Sequence, residues 1–277
     1  MREVFEAALR AEQTGEPAAL VTVVSTEGST PQKAGAKMVV YGDGRIVGTI
    51  GGGCLEAEMT GRARQCISNR RVQMASYDLT PDQAGEDGLV CGGRMQVFIE
   101  PIEGTPTLCL FGAGHVAQPL ARMAKAVGFR VEVADDRLKF ANRERFPEAD
   151  LIVVEDFVAA ASKMTLGSNS YAVVVTRGHK GDADALAATV GKGLRFVGLL
   201  GSKPKVVHIF SALEERGVSR EELAQVHSPL GLEIGATTPE EIAVSILAEM
   251  IAIRRGVDPS HARSMRMELP GRMRVGS

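Results

Sequence analysis

The chain has no tryptophan, and aromatic residues make up 4% of its 277 residues. Its core must therefore be largely aliphatic, which suits an α/β protein and leaves little to stack on nucleic-acid bases. It also lacks a charge excess. The 32 Lys and Arg face 34 Asp and Glu, a net charge of -2, so neither nucleic acid nor an anionic membrane is expected as a partner. Long hydrophobic runs are missing too. Stretches such as Leu20–Val24 fall far short of the roughly 20 residues that span a bilayer. Glu3 and Glu6 stand where a signal peptide would place its apolar core, so a cytoplasmic location is expected. Cysteine is scarce: Cys54, Cys66, Cys91 and Cys109 show no Cys-x-x-Cys spacing. Neither a structural zinc site nor structural disulfides are expected in a reducing compartment.

What is present is glycine in three places. Gly51-Gly52-Gly53-Cys54 and Cys91-Gly92-Gly93-Arg94 lie upstream of a dinucleotide-type loop, Gly112-Ala113-Gly114-His115-Val116-Ala117. Glycine lets backbone approach a ligand closely, and a neighbouring thiol can bind a soft metal or carry sulfur.

Hydrophobic spacing divides the chain. Residues 3–14 have helical periodicity. Ala19–Ser25, Lys37–Tyr41 and Arg45–Ile50 read as strands, the last two joined by a hairpin at Gly42-Asp43-Gly44. Residues 54–68 read as a helix, and Arg71–Tyr77 and Met95–Ile99 as strands. Thr80–Gly88 reads as an acidic, glycine-containing connection. Residues 1–102 thus form a small α+β domain. Glu103-Gly104-Thr105-Pro106 punctuates the chain. Beyond it, Leu108–Phe111, Arg130–Ala134, Leu151–Val154, Ala172–Thr176 and Arg195–Leu199 alternate with helical segments. That alternation predicts a Rossmann-like, doubly wound parallel sheet over residues 107–256. A last helix, Pro239–Arg255, opens on a capping box of Thr238 and Glu241, and its apolar stripe is core or interface. Residues 257–277 read as a tail.

The chemistry concentrates at the carboxyl ends of the parallel strands, where open α/β sheets bind ligands. Gly112 and Gly114 open the first turn, and the helix start behind them suits a phosphate. Asp135, about 20 residues on, suits a ribose hydroxyl. His115 is either a ligand group or a solvent-facing residue. Arg177 and His179 follow the strand Ala172–Thr176. Ser202, Lys203 and Lys205 follow Arg195–Leu199. These side chains either grip a phosphate, with Ser202 as helix cap, or form solvated helix starts with Asp182 as an N-cap. Cys54, at a helix start, and Cys91, beside Arg94, are either reactive thiols or packed ones. Cys66 and Cys109 read as small hydrophobes. Two functional classes remain open on these residues: an NAD(P)-dependent oxidoreductase, and a nucleotide-binding regulatory module.

The order of motifs over nearly the whole chain resembles the xanthine dehydrogenase accessory protein family (XdhC/CoxI type). The resemblance is carried by Gly28-Ser-Thr-Pro31, Gly35-Ala-Lys-Met38, Gly51-Gly-Gly-Cys-Leu-Glu56 and Cys91-Gly-Gly-Arg94, which leads to Ile99-Glu-Pro101. It continues through Gly112-Ala-Gly-His115, Arg177-Gly-His179, Leu199-Leu-Gly-Ser-Lys203 and Ser228-Pro-Leu-Gly-Leu-Glu-Ile-Gly235, and ends at the Thr238-Pro-Glu-Glu241 helix start. It implies a maturation factor that binds molybdenum cofactor, as molybdopterin or a dinucleotide form. Such a factor supports sulfuration of the cofactor, with a cysteine desulfurase as sulfur source, and hands it to the apoenzyme of a molybdenum hydroxylase. A homodimer is implied as well. The expected site lies between the two domains. Gly112, Gly114 and His115, with Asp135, Arg177, His179, Ser202 and Lys203, are on one side. Gly51, Gly52, Gly53, Cys54, Cys91 and Gly92 are on the other, with Cys54 and Cys91 as soft metal ligands or sulfur carriers.

Overall fold

A computed structural model describes residues 1–78 and 92–261. The helix α1 (Arg2–Thr14) is followed by β1 (Ala18–Glu27), β2 (Lys37–Tyr41), β3 (Ile46–Gly48), α2 (Gly53–Asn69), β4 (Gln73–Asp78) and β5 (Arg94–Ile102). These strands make an antiparallel sheet of order β3-β2-β1-β5-β4. Strand alternation sends Ala19, Val21 and Val23 to one face, where α2 lays Leu55, Met59, Ala63 and Cys66 over them. The opposite face receives Val4, Ala7 and Ala11 of α1 against Val39 and Tyr41. The expected elements are present. β3 is shorter than the predicted 45–50 segment, because Thr49–Gly52 leaves the strand to enter α2. The Thr80–Gly88 connection lies outside the described residues.

The second sheet is parallel. It contains β6 (Thr107–Phe111), β7 (Arg130–Ala134), β8 (Leu151–Val153), β9 (Ser170–Val174) and β10 (Phe196–Leu199), in the order β10-β9-β6-β7-β8. The chain moves outward one way from β6 and then returns to continue the other way, which puts a switch point between β6 and β9. The helices α3 (Ala117–Ala126) and α8 (Pro239–Arg254) cover the Leu108, Leu110 and Val131 face. The Cys109, Phe111 and Val174 face is covered by α4 (Phe157–Ala161), α5 (His179–Thr189), α6 (Lys203–Glu215) and α7 (Arg220–Leu223). Burial on both faces explains why these strands read as continuous apolar runs. The capping box of α8 is formed: Thr238 Oγ1 accepts from Glu241 N at 3.2 Å, and Glu241 Oε2 accepts from Thr238 N at 3.0 Å. Ile246 and Met250 of that helix are core. Of the predicted tail, residues 262–277 lie outside the described residues. Among the described residues, no helix is long and apolar enough to cross a membrane.

The two sheets meet end to end. Arg70, just past α2, donates through Nη2 to Ser168 O at 2.8 Å, ahead of β9. Asn169 Nδ2 donates to Gly104 O at 2.6 Å. Thr105 Oγ1 donates to Glu12 Oε1 at 3.3 Å. All of these contacts lie at the amino ends of the parallel strands.

Candidate functional site

The carboxyl end of the parallel sheet gathers the predicted ligand groups. Gly112 has a φ of +107°, and a Cβ there would lie 2.5 Å from Val175 O and 2.9 Å from Thr176 N. Only glycine lets β6 turn this tightly against the end of β9. Gly114 faces open space instead. His115 is exposed in the turn before α3, and Arg177 and His179 sit where β9 gives way to α5. Arg177 Nη2 donates to Asp136 Oδ2 at 3.1 Å, an exposed pair of small energetic weight. His179 meets His208 of α6 edge-to-face, with ring centroids 5.4 Å apart. Ser202 and Lys203 are exposed at the start of α6. Beside Lys203 opens a cavity of about 650 Å³, walled by Leu200, Ile242 and the segment from Pro229 to Ala236.

Four expectations change. Asp135 is not open to a ribose hydroxyl. It is 1% exposed. Its Oδ2 accepts from Ala113 N at 2.8 Å and from Arg137 Nη2 at 2.9 Å, and its Oδ1 accepts from Arg137 Nε at 2.7 Å. Burial opposes the charge, but Arg137 and the Ala113 amide outweigh it and hold the carboxyl below the usual range. Asp135 thus ties the glycine loop to β7. Asp182 is not an N-cap. Gly178 takes that place, while Asp182, fully buried in the first turn of α5, accepts from Thr176 Oγ1 at 2.7 Å. Lys205 pairs with the other Asp182 oxygen at 2.5 Å and is not free for a phosphate. Ser202 occupies the N-cap position of α6 without a side-chain capping bond.

The wall from Pro229 to Ala236 has no counterpart among the predicted site residues. It is held by α8. Glu249, 6% exposed, accepts from Gly231 N at 2.7 Å through Oε2 and lies 2.8 Å from His227 Nδ1 through Oε1. Ser245 Oγ donates to Leu232 O at 2.5 Å. Two glycines in a run without periodicity, Gly231 and Gly235, were the available signal.

The glycine–cysteine clusters converge elsewhere. Gly51 abuts Pro31, and a Cβ on Gly28 would lie 3.1 Å from Gly92 O. Both clusters therefore border the Gly28–Pro31 turn, at the end of the antiparallel sheet where β5 begins. Gly51, Gly52 and Gly53 all have positive φ, and the amides of Ile50, Gly51 and Gly52 are already served. Glu56 Oε1 accepts from Ile50 N at 3.1 Å and Gly52 N at 3.0 Å, and Thr49 Oγ1 accepts from Gly51 N at 3.1 Å. Despite the cost of burial, the Thr49 hydroxyl, which donates to Glu56 Oε1, and the neighbouring loop amides hold the Glu56 carboxyl below its usual range. What remains accessible is the exposed thiol of Cys54, second residue of α2. Cys91 lies outside the described residues, and Arg94, its expected partner, pairs with Asp78 at 2.6 Å. Among the described residues, no three His, Cys, Asp or Glu are grouped to hold a metal ion.

The contacts that join the two sheets do not bring Cys54 to the Gly112–His115 loop. Cys54 starts α2, whose other end touches the amino ends of the parallel strands. The helix is about 25 Å long and the parallel strands are roughly 15 Å long, and Cys54 and the loop stand at the ends of these elements away from the junction. Sequence order brought the motifs close, whereas the direction of α2 carries them apart.

Cys66 and Cys109 are fully buried. Burial pushes the Cys66 thiol up to about 11 and Cys109 well above its usual value. In a Cys91→Ser background, a mild alkylating reagent is expected to modify one thiol rapidly in the folded protein. Peptide mapping should find it at Cys54. Rapid labelling of Cys66 or Cys109 before unfolding contradicts this packing.

Comparison with known proteins adds the lineage. The XdhC Rossmann domain model matches residues 108–250, more than half of the chain, and the XdhC and CoxI family model matches residues 11–78. The chain belongs to the XdhC family. The uncharacterized protein YqeB of Escherichia coli (strain K12) is 35% identical over 265 residues, which are 93% of this chain but 48% of YqeB. The XdhC-family chain thus spans about half the length of that relative. A probable xanthine dehydrogenase subunit of Bacillus subtilis (strain 168) is 28% identical over 87% of this chain and 94% of its own. The molybdenum cofactor insertion chaperone PaoD of Escherichia coli (strain K12) is 24% identical over 91% of this chain and 88% of its own. A crystal structure of a xanthine dehydrogenase from Bacillus halodurans aligns with a TM-score of 0.49 at 25% identity, over 94% of this chain and 98% of the other.

Proposed function

We propose that this protein is a maturation factor of a xanthine dehydrogenase-type molybdenum hydroxylase, which binds molybdenum cofactor as cargo and supports its sulfuration and insertion. The observation that carries the reading is the pair of family matches along one chain, 11–78 and 108–250. Near full-length similarity to a protein named as a molybdenum cofactor insertion chaperone supports it. The cargo's phosphate, as molybdopterin or a dinucleotide form, would sit on the Gly112–His115 turn with Arg177, His179, Ser202 and Lys203 at its rim. Open space over Gly114, the guanidinium donors of Arg177 not used by Asp136, and the exposed Lys203 ammonium suit an oxyanion. The exposed thiol of Cys54, with Cys91, is assigned the soft-ligand or sulfur-carrying role with a cysteine desulfurase. In one chain that thiol lies remote from the cradle. Transfer between the two places would need a second copy in a homodimer, or release and rebinding. An NAD(P)-dependent oxidoreductase is the weaker reading, because Asp135 is clamped by Arg137 rather than open to a ribose.

Co-expression with an apo-hydroxylase tests the proposal. The active, sulfurated fraction of hydroxylase is expected to rise with the protein present. It should fall back about tenfold with Cys54→Ala or Gly114→Ala, the loss of one good contact. Equal activation without the protein refutes the maturation role. Normal activation by Cys54→Ala removes the thiol from it.

A further inference from the structure

We propose that the arginine-lined cleft at the junction of the two sheets binds a phosphate-bearing anion, at a site separate from the glycine cradle. The cleft encloses about 510 Å³ and gathers Arg70, Arg71, Arg195, Arg254 and Arg255 against Glu100 and Glu103. Part of this positive charge has structural work. Arg195 Nη2 donates to Arg254 O at 2.6 Å, capping the end of α8. Arg254 Nη1 donates to Val127 O at 3.1 Å, and Arg70 Nη2 reaches Ser168 O. The rest has none. The side chains of Arg71 and Arg255 are exposed and have no partner among the described residues. The guanidiniums of Arg70 and Arg195 share one partly exposed carboxylate, Glu103, at 3.8 and 3.5 Å. The partial negative charge at the ends of α2 and α8, about half a charge each, still leaves a positive excess.

A second observation points the same way. Tyr171 is fully buried, yet its hydroxyl has no hydrogen-bond partner. Arg195 lies over its ring at 6.0 Å from the centroid. Burial pushes the hydroxyl up to about 12 against the opposing pull of Arg195, Arg70 and Arg254. It is therefore an O–H donor beside the cleft's own cations, and a buried donor without an acceptor is costly. An oxyanion between the guanidiniums supplies that acceptor and relieves the mutual repulsion of Arg70 and Arg195, which after burial is the main influence lowering the Arg70 pKa. Arg70 is also the sole non-glycine residue with positive φ among the described residues, at 54°. It takes the left-handed position after α2 where glycine is the usual occupant, and its guanidinium reaches the junction there.

The forked donors of several arginines match phosphate oxygens, and the volume admits a pyrophosphate or a small phosphomonoester. The lining comes from both sheets, so the bound anion would also fasten one to the other. This site does not depend on the maturation role.

Calorimetric titration with inorganic pyrophosphate, at ionic strength held constant with chloride, tests the inference. It is run in a Gly114→Ala background so that the cradle does not contribute. One saturable site is expected. R71A/R255A, which removes exposed side chains with no partners, should weaken it at least about tenfold while leaving the melting temperature without ligand unchanged. Tyr171→Phe should weaken it severalfold. No saturable binding, or binding that R71A/R255A leaves unchanged, overturns the proposal.

Discussion

Gly112→Ala is expected to destabilise the protein by about 3 kcal/mol, whereas Gly114→Ala is expected to leave stability nearly unchanged. At Gly112 the added methyl would meet backbone atoms of Val175 and Thr176 at 2.5 to 2.9 Å, and the φ of +107° is foreign to alanine. Backbone at the end of a buried central strand cannot yield as a flexible side chain does. Left-handed strain of roughly 1–2 kcal/mol adds to overpacking of about 1–3 kcal/mol. At Gly114 the methyl meets nothing within 4 Å, so it occupies only the space through which a ligand would approach. Denaturant unfolding and ligand titration on the two variants separate these roles. Equal stability of both would show that the β6–β9 junction can open to admit a methyl, and unaltered ligand binding by Gly114→Ala would remove that glycine from the cradle.

The second large effect concerns the clamp on Asp135. Arg137→Ala would leave a buried carboxylate with backbone donors alone, and breaking such a pair costs about 3–5 kcal/mol. The side chains are 2% and 21% exposed, so solvent screens little of this. Asp135→Asn in the same chain should recover part of the loss, because a neutral amide needs no counter-charge. The pH dependence has a definite sign. The folded pKa of Asp135 is lowered, so its contribution is fully present above the unfolded value of about 3.9. It is lost as pH falls through the folded value. Asp135→Asn should therefore reduce the stability lost below about pH 4, relative to the parent protein, in urea unfolding measured across pH. An acid limb identical to the parent's would mean that the clamp carries no charge.

The groups behind these two effects differ in how far they show in the sequence. The turn Gly112-x-Gly114 between a buried strand and a helix was readable, because glycine, apolar runs and helix starts act over a few residues. So was the capping box of α8, which closes within four residues. The clamp of Asp135 was not. A β7 carboxylate about 20 residues after the glycine loop fits a ribose contact equally well, and Arg137 is two residues away whichever partner Asp135 takes. The same holds for Lys205 and Asp182, which come from successive helix starts and meet only because β9 and β10 are neighbours. The wall held by Glu249 depends on α8 returning across the sheet, and no local pattern announces that return.

The sequence by itself determined the two kinds of sheet, the helices that cover them, the glycine turns and the family, all of which follow from local spacing and motif order. Tertiary structure alone decided which charges are free. It closed Asp135, Lys205 and Glu56 into internal pairs and left Arg71, Arg255, Lys203 and the Cys54 thiol exposed. It also placed Cys54 and the Gly112–His115 loop at the ends of α2 and of the parallel strands that face away from the junction of the sheets. Ion pairing and end-to-end packing depend on distances across the fold, and those distances arise only when remote segments are brought together.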